Sequence, residues 1–88
     1  MPYHKNKQQA FQAAQQSMED VEEQYDVIDK HASTYGQQLN HLSQEIAETY
    51  EQIQNALEVA SEHQKEQLLK FQTDLDAITH QVQSENKK

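Results

Sequence analysis

From Phe11 to Tyr35 the apolar residues fall at Phe11, Ala14, Met18, Val21, Tyr25, Ile28, Ala32 and Tyr35. The steps between them alternate 3 and 4 without a break. An α-helix turns once every 3.6 residues, so this spacing draws one apolar stripe down one side of a helix and leaves the other side polar. A strict repeat of seven also asks for a partner helix wrapped against the stripe. A chain that begins this way must bring a second helix back along the first.

A second stripe runs Leu39, Leu42, Ile46, Tyr50, Ile53, Leu57 and Ala60, with two consecutive steps of 4 around Tyr50. A third runs Leu68, Phe71, Leu75, Ile78 and Val82, widened by Leu69. The chain has one Gly and one Pro in 88 residues and is rich in Gln, Glu, Ala, Leu and Lys, all good helix formers. The expected fold class is all-α.

Two places decide the architecture. Around residues 33–37, Ser33 and Thr34 suit an N-cap, and Thr34 with Gln37 matches a capping box. Gly36 can supply a left-handed residue that closes the first helix, with Lys30 and His31 in its last turn. A tight turn is expected there. The stretch "VASEHQKEQLL", residues 59–69, is the second place. At a period of 3.6 the stripe keeps phase from Leu39 to Val82, which favours one long helix of roughly 69 Å. The stripe is nevertheless empty of large apolar groups between Leu57 and Leu68. Ser61 followed by Gln64 is a capping box, and Glu62 suits a first turn.

Burial favours the break. A first helix of roughly 43 Å leaves about 25 Å of a 69 Å helix uncovered, exposing Leu68, Leu69, Phe71, Leu75, Ile78 and Val82. Burying each large side chain is worth about 1.5–3 kcal/mol, and a monomer rarely leaves so large an apolar patch open. The expectation is one helical domain over residues 1–88. It is an antiparallel, up-down-up three-helix bundle with helices at about 5–32, 36–60 and 62–84 and a frayed tail at 85–88. The alternative is a helical hairpin with one long second helix, which dimerises.

Composition excludes several functions. There is no Cys, so disulfides, thiolate ligands and Cys nucleophiles are absent. Every basic residue is Lys and the net charge is −8. That balance speaks against nucleic acid and anionic membrane surfaces, because neutralising phosphates needs clustered cations. No apolar run reaches the roughly 18 residues of a membrane span. "MPYHKNKQQAF" has no apolar core after its lysines, so no signal peptide and a cytoplasmic location are expected.

The five histidines, His4, His31, His41, His63 and His80, raise the question of a metal. Helical metal sites use Glu-x-x-His, with the carboxylate three residues before the imidazole on one face, and none of the five has Asp or Glu three residues before it. Asp76 and His80, four apart, fall on the polar side of the last helix. The histidines are expected to face solvent. Tyr25, Tyr35 and Tyr50 on the stripes read as core aromatics with hydroxyls at the rim. No Gly-rich phosphate loop and no calcium-loop pattern is present. No catalytic residue, metal site, cofactor or small-molecule substrate is expected.

The strongest charge feature is "EDVEEQYD", continued by Asp29. Glu19, Glu22, Glu23, Asp26 and Asp29 form a candidate docking face for a basic partner, with Asp20 beside them. The plainer role is a solvated face that keeps a small bundle in solution. Val27, Val59 and Leu69 lie off the seams and are candidates for a contact face. The expected function is a protein–protein interaction module, binding an unidentified protein or itself. The alternative is a secreted helical hairpin of the WXG type, for which the turn offers only "TYGQ", without Trp.

"EEQ" at residues 22–24 and "QKEQLLKFQTDLDAITHQV" at residues 64–82 give the chain a resemblance to the small YtzC-like proteins of Bacillus and related spore-formers. The matching positions are Glu22, Glu23, Gln24, Gln64, Glu66, Gln67 and Leu68. Val21 stands where the family has a small residue, and Lys65 where it has Arg. The resemblance implies a small helical protein from such a host and brings no activity or site residues.

Overall fold

The computed structural model describes residues 7–86. Three helices follow one another, α1 (Lys7–Val27), α2 (Tyr35–Val59) and α3 (Glu62–Asn86), packed as an antiparallel up-down-up bundle. At ~1.5 Å per residue they are about 32, 38 and 38 Å long, close enough in length to cover one another along a 46 Å long axis. The α1–α2 interface is the most extensive, α2–α3 is smaller, and α1–α3 is the smallest.

The chain does break at Ser61, so the long second helix of the alternative fold is absent. Ala60 is extended, at φ −75° and ψ 146°. The Ser61 N–H donates to Gln64 Oε1, and the Gln64 N–H donates to Ser61 Oγ, both at 3.3 Å. These are the two reciprocal bonds of a capping box. Lys65 N–H then donates to the Ser61 carbonyl at 2.8 Å and opens α3. Glu62 in the first turn faces the positive end of the helix dipole.

The first connection differs from expectation. α1 ends at Val27, several residues before the expected end near 32. The Asp29 N–H donates to Gln38 Oε1 at 2.9 Å. In a continuing helix it would bond to the carbonyl of Tyr25. Asp29 Oδ1 meanwhile accepts from the His31 N–H at 2.9 Å, a local bond that competes with helix. Ala32 and Tyr35 N–H groups then bond back three residues, to the Asp29 and Ala32 carbonyls. Lys30 and His31 thus lie in the connection, beyond the helix.

Two further expectations at this connection need correcting. Gly36 is a residue of the first turn of α2, and it has no positive φ. Thr34 is the N-cap of α2 without a side-chain bond to the backbone, so its capping box with Gln37 does not form. Its hydroxyl instead accepts from Gln38 Nε2 at 3.1 Å. The turn occupies residues 28–34 where 33–37 was expected. The helix start expected near residue 5 lies outside the described residues. Of the tail expected to fray at 85–88, residues 85 and 86 belong to α3 and residues 87 and 88 lie outside the described residues.

The core consists of Ala14, Met18 and Val21 from α1; Leu39, Leu42, Ile46, Ile53 and Ala56 from α2; and Leu68, Leu75 and Val82 from α3. Phe11, Tyr25, Ile28, Tyr35, Tyr50, Leu57, Phe71 and Ile78 pack around it, half-buried. Phe11 and Phe71 stack across the narrow α1–α3 contact, with ring centroids 5.9 Å apart. The irregular steps read around Tyr50 now have an explanation. The buried line on α2 is Leu39, Leu42, Ile46, Thr49, Ile53, Ala56, an unbroken 3–4 alternation, with Tyr50 and Leu57 flanking it.

Among the described residues, Thr49 is the one buried polar side chain. Its hydroxyl donates to the Glu45 carbonyl at 2.7 Å and lies 3.4 Å from the Ser17 carbonyl of α1. A buried hydroxyl is tolerated when it is bonded. No buried side-chain polar atom among the described residues is left without a partner.

Candidate functional site

On α1 the acidic residues Glu19, Glu22, Glu23 and Asp26 are spaced 3, 4 and 7 from the first, which places them on one face of the helix. All four are exposed. Asp20 is half-buried and its Oδ1 accepts from Gln16 Nε2 at 3.2 Å. Asp29 leaves the group: it lies past the end of α1, and its main chain and side chain hold the connection. Four of the five carboxylates therefore stand on α1, and Asp29, also exposed, stands in the connection that follows. From residue 7 to residue 61 the chain carries ten Asp and Glu against Lys7 and Lys30, so the α1–α2 hairpin is more acidic than α3.

His31, His41, His63 and His80 are all exposed, and His4 lies outside the described residues. Among the described residues no three His, Cys, Asp or Glu side chains come together to hold a metal ion. Asp76 and His80 are exposed on α3. Asp76 Oδ1 accepts a hydrogen bond from the Tyr50 hydroxyl, and Thr79 Oγ1 lies 3.4 Å from the same phenol oxygen. Burial raises the Tyr50 pKa above the usual 10.0, and the bond to the Asp76 carboxylate and its charge raise it further, against a lowering by Thr79. This contact ties α2 to α3 at the rim.

Val27, Val59 and Leu69 do not share a face. Val27 is 72% exposed at the end of the bundle where α1 finishes and α2 begins. Val59 and Leu69, half-buried and 52% exposed, belong to the end where α2 finishes and α3 starts. Val27 borders an open groove of about 240 Å³ between α1 and α2, lined with Gln24, Ile28, Gln38 and His41. A second groove of about 260 Å³ lies along the start of α2, between Gly36 and Ser43. Both are smaller than the roughly 300–1,000 Å³ of a small-molecule site. Nothing in the sequence assigns Gln24, Gln38 or His41 to a groove: His41 stands out only as one of five histidines and Gln24 only as a position of the YtzC-like resemblance. Val27, an off-seam apolar residue beside the seam residue Ile28, was the available signal.

No helix among the described residues is long and apolar enough to cross a membrane. No family model, curated protein or solved structure matches the chain.

Proposed function

We propose that this chain is a small non-catalytic helical protein of the YtzC-like kind, which binds another protein, or itself, through a helix face in the cytoplasm. The observation that carries the reading is the exposed stripe Glu19, Glu22, Glu23 and Asp26 on α1. Like charges three and four apart on a helix cost a few tenths of a kcal/mol per pair, so folding gains nothing from them. A positively charged partner turns that cost into attraction and is steered to the stripe. The core is filled by the chain's own seams, and the two grooves are open and small, which supports binding over chemistry. The break at Ser61 also leaves three helices where a WXG-type hairpin has two.

The test combines light scattering with recovery of partners from host lysate at rising salt, for the native chain and for a variant with Glu19→Gln, Glu22→Gln, Glu23→Gln and Asp26→Asn. The expected result is a salt-sensitive complex that the neutralised variant does not form. A strict monomer that recovers nothing above background at any salt concentration would remove the reading.

A further inference from the structure

We infer that the groove between the end of α1 and the start of α2 seats an apolar side chain of a basic amphipathic peptide. This deepens the interaction reading above and rests on it. The groove has an apolar edge in Val27 and Ile28, and Val27 is the most exposed large hydrophobic of the described residues. Its volume of about 240 Å³ suits the ends of one or two side chains and lies below the roughly 300–1,000 Å³ of a small-molecule pocket.

One wall is fixed in advance. Gln38 lines the groove, and both ends of its amide are engaged, Oε1 by the Asp29 N–H and Nε2 on the Thr34 hydroxyl. A wall held this way loses little freedom when something docks against it.

Charge selects the occupant. The groove lies on the hairpin that carries ten carboxylates against two lysines, Lys7 and Lys30, and Asp26 and Asp29 flank Val27 and Ile28 in sequence. A second copy of this chain brings a charge of −8 of its own and is repelled. A peptide with lysines around an apolar anchor is attracted over distance and then loses the anchor's contact with water, which are separable contributions.

The experiment measures fluorescence anisotropy of two labelled synthetic helical peptides, one of Leu and Lys and one of Leu and Glu, against the full chain. The variants are Val27→Ser, Leu69→Ser and the neutralised acidic stripe. Val27→Ser leaves every charge in place, and its high exposure makes loss of folding easy to exclude by circular dichroism. The Leu–Lys peptide is expected to bind, more weakly as salt rises. Val27→Ser should weaken it about tenfold, as expected for removing one buried aliphatic contact, while Leu69→Ser leaves it within about twofold.

Equal binding by native, Val27→Ser and Leu69→Ser chains would overturn the groove; if the neutralised stripe alone then loses the peptide, the interaction reading survives without it. No binding of the Leu–Lys peptide, or equal binding of the Leu–Glu peptide, also overturns the groove. So does self-association that Val27→Ser abolishes, since the occupant is then a second copy.

Discussion

Residues 60–61 and residues 28–34 both reverse the chain, by different means. At 60–61 one extended residue and a capping box suffice, and all the signals lie within four positions of one another. At 28–34 the helix is stopped by Gln38, nine residues downstream of the N–H it takes from Asp29. The second turn is written locally. The first adds to local bonds one contact that forms only when the start of α2 lies beside the end of α1. A local cap is legible in sequence, whereas a stop imposed from a distance is legible only in the fold. The helices these turns join differ too, since α1 and α2 share the larger interface and α3 rests on the pair with less.

The largest test of that difference is in the core. Leu42 on α2 and Leu75 on α3 are both fully buried. Truncation of a buried Leu to Ala costs about 2–5 kcal/mol. Denaturant unfolding should place Leu42→Ala toward the high end and Leu75→Ala toward the low end, because α3 has fewer neighbours to leave stranded around a cavity. Amide exchange should also show α3 opening before the hairpin in Leu75→Ala. Equal costs, with all three helices exchanging together, would mean that the two interfaces are energetically alike.

Much of this was legible before the fold was known, and the misses have physical reasons. The α1 seam and the start of α3 follow from spacing and from Ser61 with Gln64. The buried line on α2 was misread because Thr49 and Ala56, a polar residue and a small one, carry it past the more conspicuous Tyr50 and Leu57. A lone Gly commonly closes a helix, so Gly36 reads as a stop, yet it lies in the first turn of α2 without a positive φ. Of the candidate docking face, the four carboxylates on α1 were readable from helical spacing. Helical spacing also extends the face to Asp29, but α1 ends before it and its N–H bonds to Gln38, a contact that spacing does not carry. The YtzC-like positions add little about packing, since Leu68 alone among them is buried.

The two turns can be compared directly by removing the side chain that holds each. Ser61→Ala deletes the N-cap of α3, a change that costs about 1 kcal/mol in helix or protein stability. Gln38→Ala deletes two exposed hydrogen bonds, each worth about 0.5–1.5 kcal/mol at most before solvent competes for them. The expected order is a clear loss for Ser61→Ala and a smaller one for Gln38→Ala, read from thermal or urea unfolding. The structural consequences should separate further. Gln38→Ala frees the Asp29 N–H to bond within α1, so backbone chemical shifts of residues 28–30 should move toward helical values. Ser61→Ala should fray the first turn of α3 and leave residues 28–30 unchanged. A Gln38→Ala chain whose α1 still ends at Val27 would show that the stop is local after all, set by Asp29 and its bond to the His31 N–H.

The smallest effect has the opposite sign. If Gly36 were the left-handed residue that closes α1, replacing it with Ala would strain the backbone and destabilise the turn. In the structure its φ is not positive, and a Cβ built there meets nothing within 4 Å. Gly in a helix costs about 0.5–1 kcal/mol relative to Ala, because the unfolded chain has more freedom to lose. Gly36→Ala should therefore stabilise the protein by about that amount, raising the unfolding midpoint and leaving the dependence on denaturant unchanged. Destabilisation would place a left-handed residue in the first connection and make that turn, like the second, one that its own local sequence specifies.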